Sequence, residues 1–143
     1  PHDELTIIMR RYMMRIAEHF AKKDNCLGLI TGESIGQVAS QTLNSMQVIN
    51  EVVKIPVLRP VLCLDKLEII DIADRIDTYE ISIRPHEDCC TIFTPKAPAT
   101  KPKLYKAEIF ESGFDFETLI DECVETAEII TVDHNYKKND DIF

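Results

Sequence analysis

Residues 27 to 46 narrow the fold choices more than any other part of this chain. Leu27-Gly28-Leu29-Ile30-Thr31 is an apolar run of strand length, and beyond Gly32 the pattern changes to helical spacing. Ile35, Val38, Ala39, Thr42, Leu43 and Met46 then share one face at intervals of three and four, with Ser34, Gln37, Gln41 and Asn44 on the other. Ser34 is the expected N-cap, and Gln37 three residues on completes a capping box. A strand that runs straight into a helix predicts one βα unit of a parallel sheet, not a hairpin.

The alternation continues on both sides. From Asp3 to Lys23 the apolar positions Leu5, Ile8, Tyr12, Ile16 and Phe20 recur helically, widened by Met9 and Met13. Ile7 and Met14 fall opposite, so this helix is expected to be covered on two faces. Arg10 borders the main stripe, where its stem is buried while the guanidinium reaches a cleft. Val57-Leu58-Arg59-Pro60 reads as a second short strand closed by its proline, and Asp65 to Ile76 as a helix with Asp65 and Glu68 in capping positions. Tyr79 to Ile83 alternates as a strand should. Arg84 to Lys106 is a long loop, Asp115 to about Glu128 a closing helix, and Ile129 to Val132 a last strand. The fold class is α/β, a partial Rossmann-like parallel sheet with flanking helices. So few strands imply that further strands come from upstream sequence or another chain, and an exposed sheet edge leaves both a homodimer and a monomer open. Cys26 and Cys63, in apolar contexts, are expected in the core.

Charge limits the partners. A net charge of −9 over 143 residues argues against a self-sufficient nucleic-acid binder. Thr94 to Lys106 is the exception: Lys96, Lys101, Lys103 and Lys106 occur there without an acidic residue, which makes either a solvated loop or an RNA contact. No apolar run reaches membrane-spanning length. Five scattered cysteines suit a reducing compartment, so a cytoplasmic protein without a membrane partner is expected.

Two places have the residue types for chemistry. Gly32, at the carboxyl end of a strand, allows close approach of a ligand to the backbone, and a helix amino terminus beyond it favours anions. Gly36 and Ala39 are expected to permit close packing. Cys89 and Cys90 lie in the long loop, where Arg84 or Lys96 lowers a thiol pKa while Glu87 and Asp88 oppose this. Inert thiols are the plain alternative. His86 with Cys89 and Cys90 has zinc-like spacing but no second ligand pair, so no metal site is assigned. His2, His19 and His134 are read as surface residues.

The stretch Leu-Ile-Thr-Gly-Glu-Ser-Ile-Gly-Gln-Val-Ala-Ser-Gln-Thr-Leu (29 to 43) closely resembles a segment of the tRNA 4-thiouridine sulfurtransferases. Ile8 to Ile16, Pro56 to Ile70, Tyr79 to Phe93 and Pro98 to Lys103 are similar to further segments in the same order. The resemblance implies a nucleotide-binding fold of the pyrophosphatase-loop type, with ATP and Mg2+ as cofactors. The implied chemistry adenylates the C4 oxygen of a tRNA uridine. Persulfide sulfur from a cysteine desulfurase then displaces AMP, and the same sulfur supply serves the thiazole of thiamine. It implies ATP contacts at Arg10, Gly32 and Gln41, supported by Glu33, Ser34, Gln37, Arg59 and Lys66. Lys66 acts on phosphate or RNA, or is simply solvated. Cys89 corresponds to a cysteine that relatives with a rhodanese appendage pair with a second one; no rhodanese segment follows here, so Cys89 or Cys90 is the sulfur carrier. The family's Ser-Gly-Gly-x-Asp-Ser loop and amino-terminal RNA-binding domains do not occur among these residues. Residues 1–143 are therefore expected to be the carboxyl-terminal part of the adenylation domain, inactive by itself. The rival reading is a noncatalytic nucleotide- or RNA-binding module.

Overall fold

A computed structural model describes residues 3–85 and 98–132 of the chain. Helix α1 spans Leu5–Lys23 and, at about 1.5 Å per residue, is roughly 28 Å long. Strands β1 (Leu29–Ile30) and β2 (Val57–Leu58) pair in parallel, Leu29 opposite Val57 and Ile30 opposite Leu58. Helix α2 (Leu43–Asn50) connects them. Helices α3 (Lys66–Arg75), α4 (Tyr79–Ser82), α5 (Leu104–Glu111) and α6 (Phe116–Glu125) follow. The expected parallel sheet with flanking helices is therefore present, reduced to two strands among the described residues.

The core lies where α1 crosses α2 and the sheet. Ile7, Met14, Val48, Ile49 and Ala107 are buried together, with Ile8, Leu29, Val52, Val53 and Val57 packed around them. Covering both faces of α1 was expected, but the order of burial is reversed. The fully buried line is Ile7, Arg11, Met14, Glu18 and Ala21. Leu5, Ile8, Tyr12, Ile16 and Phe20 are only half-buried.

Other expectations are corrected. The helix after Gly32 does not start at Ser34. Gly36 takes φ +80, a left-handed conformation, and its N–H donates to the Gln41 carbonyl at 3.0 Å. Ser34 turns its hydroxyl away to donate to the Leu64 carbonyl at 2.7 Å. A single 3-10 turn (Ala39–Gln41) follows, and the Thr42 hydroxyl caps α2 by accepting from the Ser45 N–H. Open space surrounds Gly36, so its conformation matters and not close packing. Tyr79–Ser82 is a helical turn, because the N–H groups of Ser82 and Ile83 find carbonyls four residues back, at Thr78 and Tyr79. Ile129 to Val132 has no regular structure and pairs with no strand among the described residues. Leu104–Glu111, whose first three residues belong to the expected loop, is helical. Cys26 and Cys63 are exposed, since both lie outside the paired residues, Cys26 before β1 and Cys63 in the turn after β2. The Asp65/Glu68 capping box is present as expected.

Candidate functional site

Where β1 and β2 end side by side, the chain gathers charge. The side chain of Glu33 is 3% exposed. Its Oε1 accepts from Arg10 Nη2 of α1 at 2.5 Å. Its Oε2 accepts from Arg59 Nε, just past β2, at 2.6 Å and from the Thr31 hydroxyl at 2.9 Å. Arg59 continues through Nη2 to the Asn50 side-chain oxygen at 2.6 Å, at the end of α2. One buried carboxylate thus joins the first helix and the carboxyl ends of both strands.

The turn beyond Glu33 is held from the other side. The Ser34 N–H donates to the Gln41 side-chain oxygen at 3.4 Å, and the Ile35 N–H to the Leu62 carbonyl at 2.9 Å. Gly32 faces open space: a Cβ placed there would meet nothing within 4 Å. Arg10, Gly32, Glu33, Ser34, Gln41 and Arg59 are therefore contiguous around one turn. Gln37 is exposed on the loop, and Lys66, also exposed, opens α3 two residues past Leu64. Lys101 and Lys103 are exposed on either side of buried Pro102. That loop is tied to the cap of α2, where the Thr42 hydroxyl donates to the Thr100 carbonyl at 2.8 Å. His86, Cys89, Cys90 and Lys96 lie outside the described residues.

Two further buried carboxylates were not foreseen. Glu111 of α5 accepts from Arg11 Nε and Nη2 at 2.8 and 2.9 Å, and from Arg15 Nη1 and Nη2 at 2.7 and 2.9 Å. Burial alone would raise its pKa, but the hydrogen bonds and charges of these arginines hold it down to about 2. Arg15 also lies over the Phe116 ring, 4.4 Å from its centroid. Glu18 accepts from the backbone N–H groups of Lys54 and Ile55 and from Lys22 Nζ. Burial opposes ionisation there too, yet these donors bring its pKa below the usual carboxylate value. Arg11 and Glu18 share the heptad-like line with Ile7, Met14 and Ala21. A charge on an apolar helical line announces a buried pair, and that signal was available in the sequence.

A cavity of about 270 Å³ lies between α2 and the start of α5, lined by Asn44, Gln47, Glu51 and Lys103 among others. No residue of the Gly32 turn borders it.

Known proteins share this sequence and fold. A family model described as thiamine biosynthesis protein (ThiI) matches residues 1–116. The chain belongs to the ThiI family. ThiI relatives include a probable tRNA sulfurtransferase of Agathobacter rectalis, 58% identical over 93% of this chain and 34% of the relative. Another, of Acetivibrio thermocellus, is 56% identical over 92% of this chain and 34% of the relative. Among solved structures, a 4-thiouridine synthetase in complex with RNA and bound ATP superposes with a TM-score of 0.82 at 42% identity. That match covers 88% of this chain and 33% of the other. The chain thus spans about a third of the length of its ThiI relatives.

Proposed function

We propose that residues 1–143 are the carboxyl-terminal part of the adenylating domain of a tRNA sulfurtransferase, of the pyrophosphatase-loop type, acting in the cytoplasm. In the whole protein, the C4 oxygen of a tRNA uridine attacks the α-phosphate of ATP and pyrophosphate leaves. A persulfide sulfur, passed on from a cysteine desulfurase, attacks C4 and AMP departs. The sulfur–sulfur bond then breaks by attack of a second thiol, which leaves 4-thiouridine and a disulfide. The same sulfur supply serves the thiamine thiazole.

The observation carrying this reading is the convergence on one turn. Arg10 binds Glu33, Gln41 binds the Ser34 N–H, and between these contacts Gly32 presents bare backbone to open space. Backbone without a side chain lets a flat or anionic group approach closely, and a guanidinium beside it favours anions. The neighbour's bound ATP points the same way. In this assignment Arg10, Gly32 and Gln41 contact ATP, with Glu33, Ser34 and Arg59 setting their positions, and Gln37 and Lys66 near the phosphates. Mg2+ would enter with the ATP phosphates and would neutralise part of their charge. Among the described residues no group of three or more His, Cys, Asp or Glu is placed to ligate a metal. Lys101 and Lys103, on the loop tied to the α2 cap beside Gln41, contact RNA together with Lys96. Cys89 or Cys90 carries sulfur.

The test uses the full-length protein. Arg10→Ala and Gln41→Ala are expected to weaken ATP binding in calorimetry. Serine at both 89 and 90 is expected to abolish thiolation of tRNA while leaving ATP and tRNA binding intact. Unchanged ATP affinity in Arg10→Ala refutes the pocket; undiminished thiolation without Cys89 and Cys90 favours a binding module whose chemistry lies elsewhere.

A further inference from the structure

We infer that Glu33 is a positioning residue of the nucleotide pocket: its carboxylate fixes Arg10 at the open face of Gly32 by anchoring it to Arg59. The inference rests on the ATP reading above and goes one step inward from the residues that touch the ligand.

The donor inventory carries it. Arg59 is anchored at both ends of its fork, Nε on Glu33 and Nη2 on Asn50, and its side chain is 9% exposed. It has no freedom to follow a ligand. Arg10 is different. Among the described residues only its Nη2 has a partner, Glu33, and its buried Nε makes no hydrogen bond. Its side chain is 23% exposed, so the rest of the fork remains available. Glu33 in turn is held by three donors from three places: α1, the end of β1 and the residue after β2. A carboxylate bound this way cannot swing, and a single well-placed oxygen sets the direction of the Arg10 fork. Two guanidinium groups share one carboxylate, which leaves one positive charge in surplus, and Arg10 is the more exposed of the two. A buried pair kept for stability alone needs neither the surplus nor the unpaired Nε.

Net charge and position predict opposite signs, and that makes the inference testable. If only charge counted, removing the Glu33 carboxylate would strengthen binding of polyanionic ATP. If position counts, it weakens binding, because Arg10 loses its rest and the two guanidinium groups repel. In the full-length protein, ATP affinity by titration calorimetry and melting without nucleotide are measured for Glu33→Gln, Glu33→Asp, Arg59→Lys, Arg10→Ala and the double variants. Both Glu33 variants are expected to bind ATP on the order of tenfold more weakly. Asp keeps the charge but is too short to reach both arginines, so it does not rescue. Placed on Arg10→Ala, neither Glu33 variant is expected to weaken binding further. ATP binding by Glu33→Gln equal to or tighter than the parent's, or losses that add to that of Arg10→Ala, would overturn the inference. Should the Glu33 variants fail to melt cooperatively, Arg59→Lys decides. Lysine reaches Glu33 or Asn50 but not both, so a several-fold loss is expected, and unchanged affinity overturns the inference. Unchanged affinity in Arg10→Ala instead removes the ATP pocket itself, a separate failure.

Discussion

Glu111→Gln is the perturbation whose consequence the structure states most fully. Glu111 receives charge-assisted hydrogen bonds from Arg11 and Arg15 at 2.7 to 2.9 Å, and Arg11 is 1% exposed. The carboxylate holds α5 to α1 across 100 residues of sequence. Its pKa falls from an ordinary 4.5 to about 2, which corresponds to roughly 3 kcal/mol. Leaving a buried charge without its partner costs about 3 to 5 kcal/mol in comparable cases. Both routes agree, so the variant is expected to lose about 3 kcal/mol, on the order of 10 °C in melting temperature. The sign with pH follows from the depressed value. The carboxylate contributes its full stability above about pH 4.5 and loses it as pH falls toward about 2. The gap between parent and variant is therefore widest at neutral pH and closes toward pH 2. Urea unfolding followed by circular dichroism at pH 7, 4 and 2.5 measures it. A gap below 1 kcal/mol at pH 7, or one that stays constant down to pH 2.5, would falsify the clamp.

Three substitutions separate site from scaffold. A Cβ added at Gly32 meets no atom within 4 Å, so for Gly32→Ala the melting temperature should stay put while ATP binding by the full-length protein is weakened. Gly36→Ala forces a side chain into φ +80 and is expected to destabilise by about 1 kcal/mol with no clash to blame, read by urea unfolding. Asp65→Ala removes the capping box of α3 and should cost about 1 kcal/mol in the same assay, regained in part by Asp65→Ser.

What could be read from the sequence was what short-range physics decides. The Asp65/Glu68 cap, the strand cores at Leu29 and Val57 and the helical period of α1 depend on neighbours a few residues apart. Errors came where distant partners choose between local options. Ser34 has the chemistry of a cap, but the Leu64 carbonyl takes its hydroxyl, and Thr42 then caps the helix eight residues later. The alternation in Tyr79 to Ile83 suits a strand only if it pairs with an edge, and it closes instead into a helical turn on the Thr78 and Tyr79 carbonyls. In the candidate site, the places of Gly32 and Arg10 were legible from position and period, whereas Gln41 ends a 3-10 turn and is not on the polar face of the expected helix. The exchange of Glu33 between two arginines was not legible, because it joins residues 23 and 26 positions apart.

Adjacent arginines on α1 show how one helix serves both tasks. Arg10 and Arg11 are separated by about 100° around the helix axis, so they point to different neighbourhoods. Arg11 faces the core and uses Nε, Nη1 and Nη2 on Glu111, the Val48 carbonyl and Glu51. Arg10 faces the strand ends and uses one nitrogen. Desolvating a guanidinium is costly unless its donors are matched, so a saturated arginine is explained by the fold alone, and a half-used one is not. Glu18 adds the third fixed point by holding the backbone at Lys54 and Ile55, two residues before β2 begins. With α1 pinned to α5 by Arg11 and to the approach of β2 by Glu18, the position of Arg10 relative to Gly32 is set by the scaffold before any ligand arrives. If Arg10 contacts ATP as proposed, the affinity lost on cutting either pin should track how far Arg10 moves.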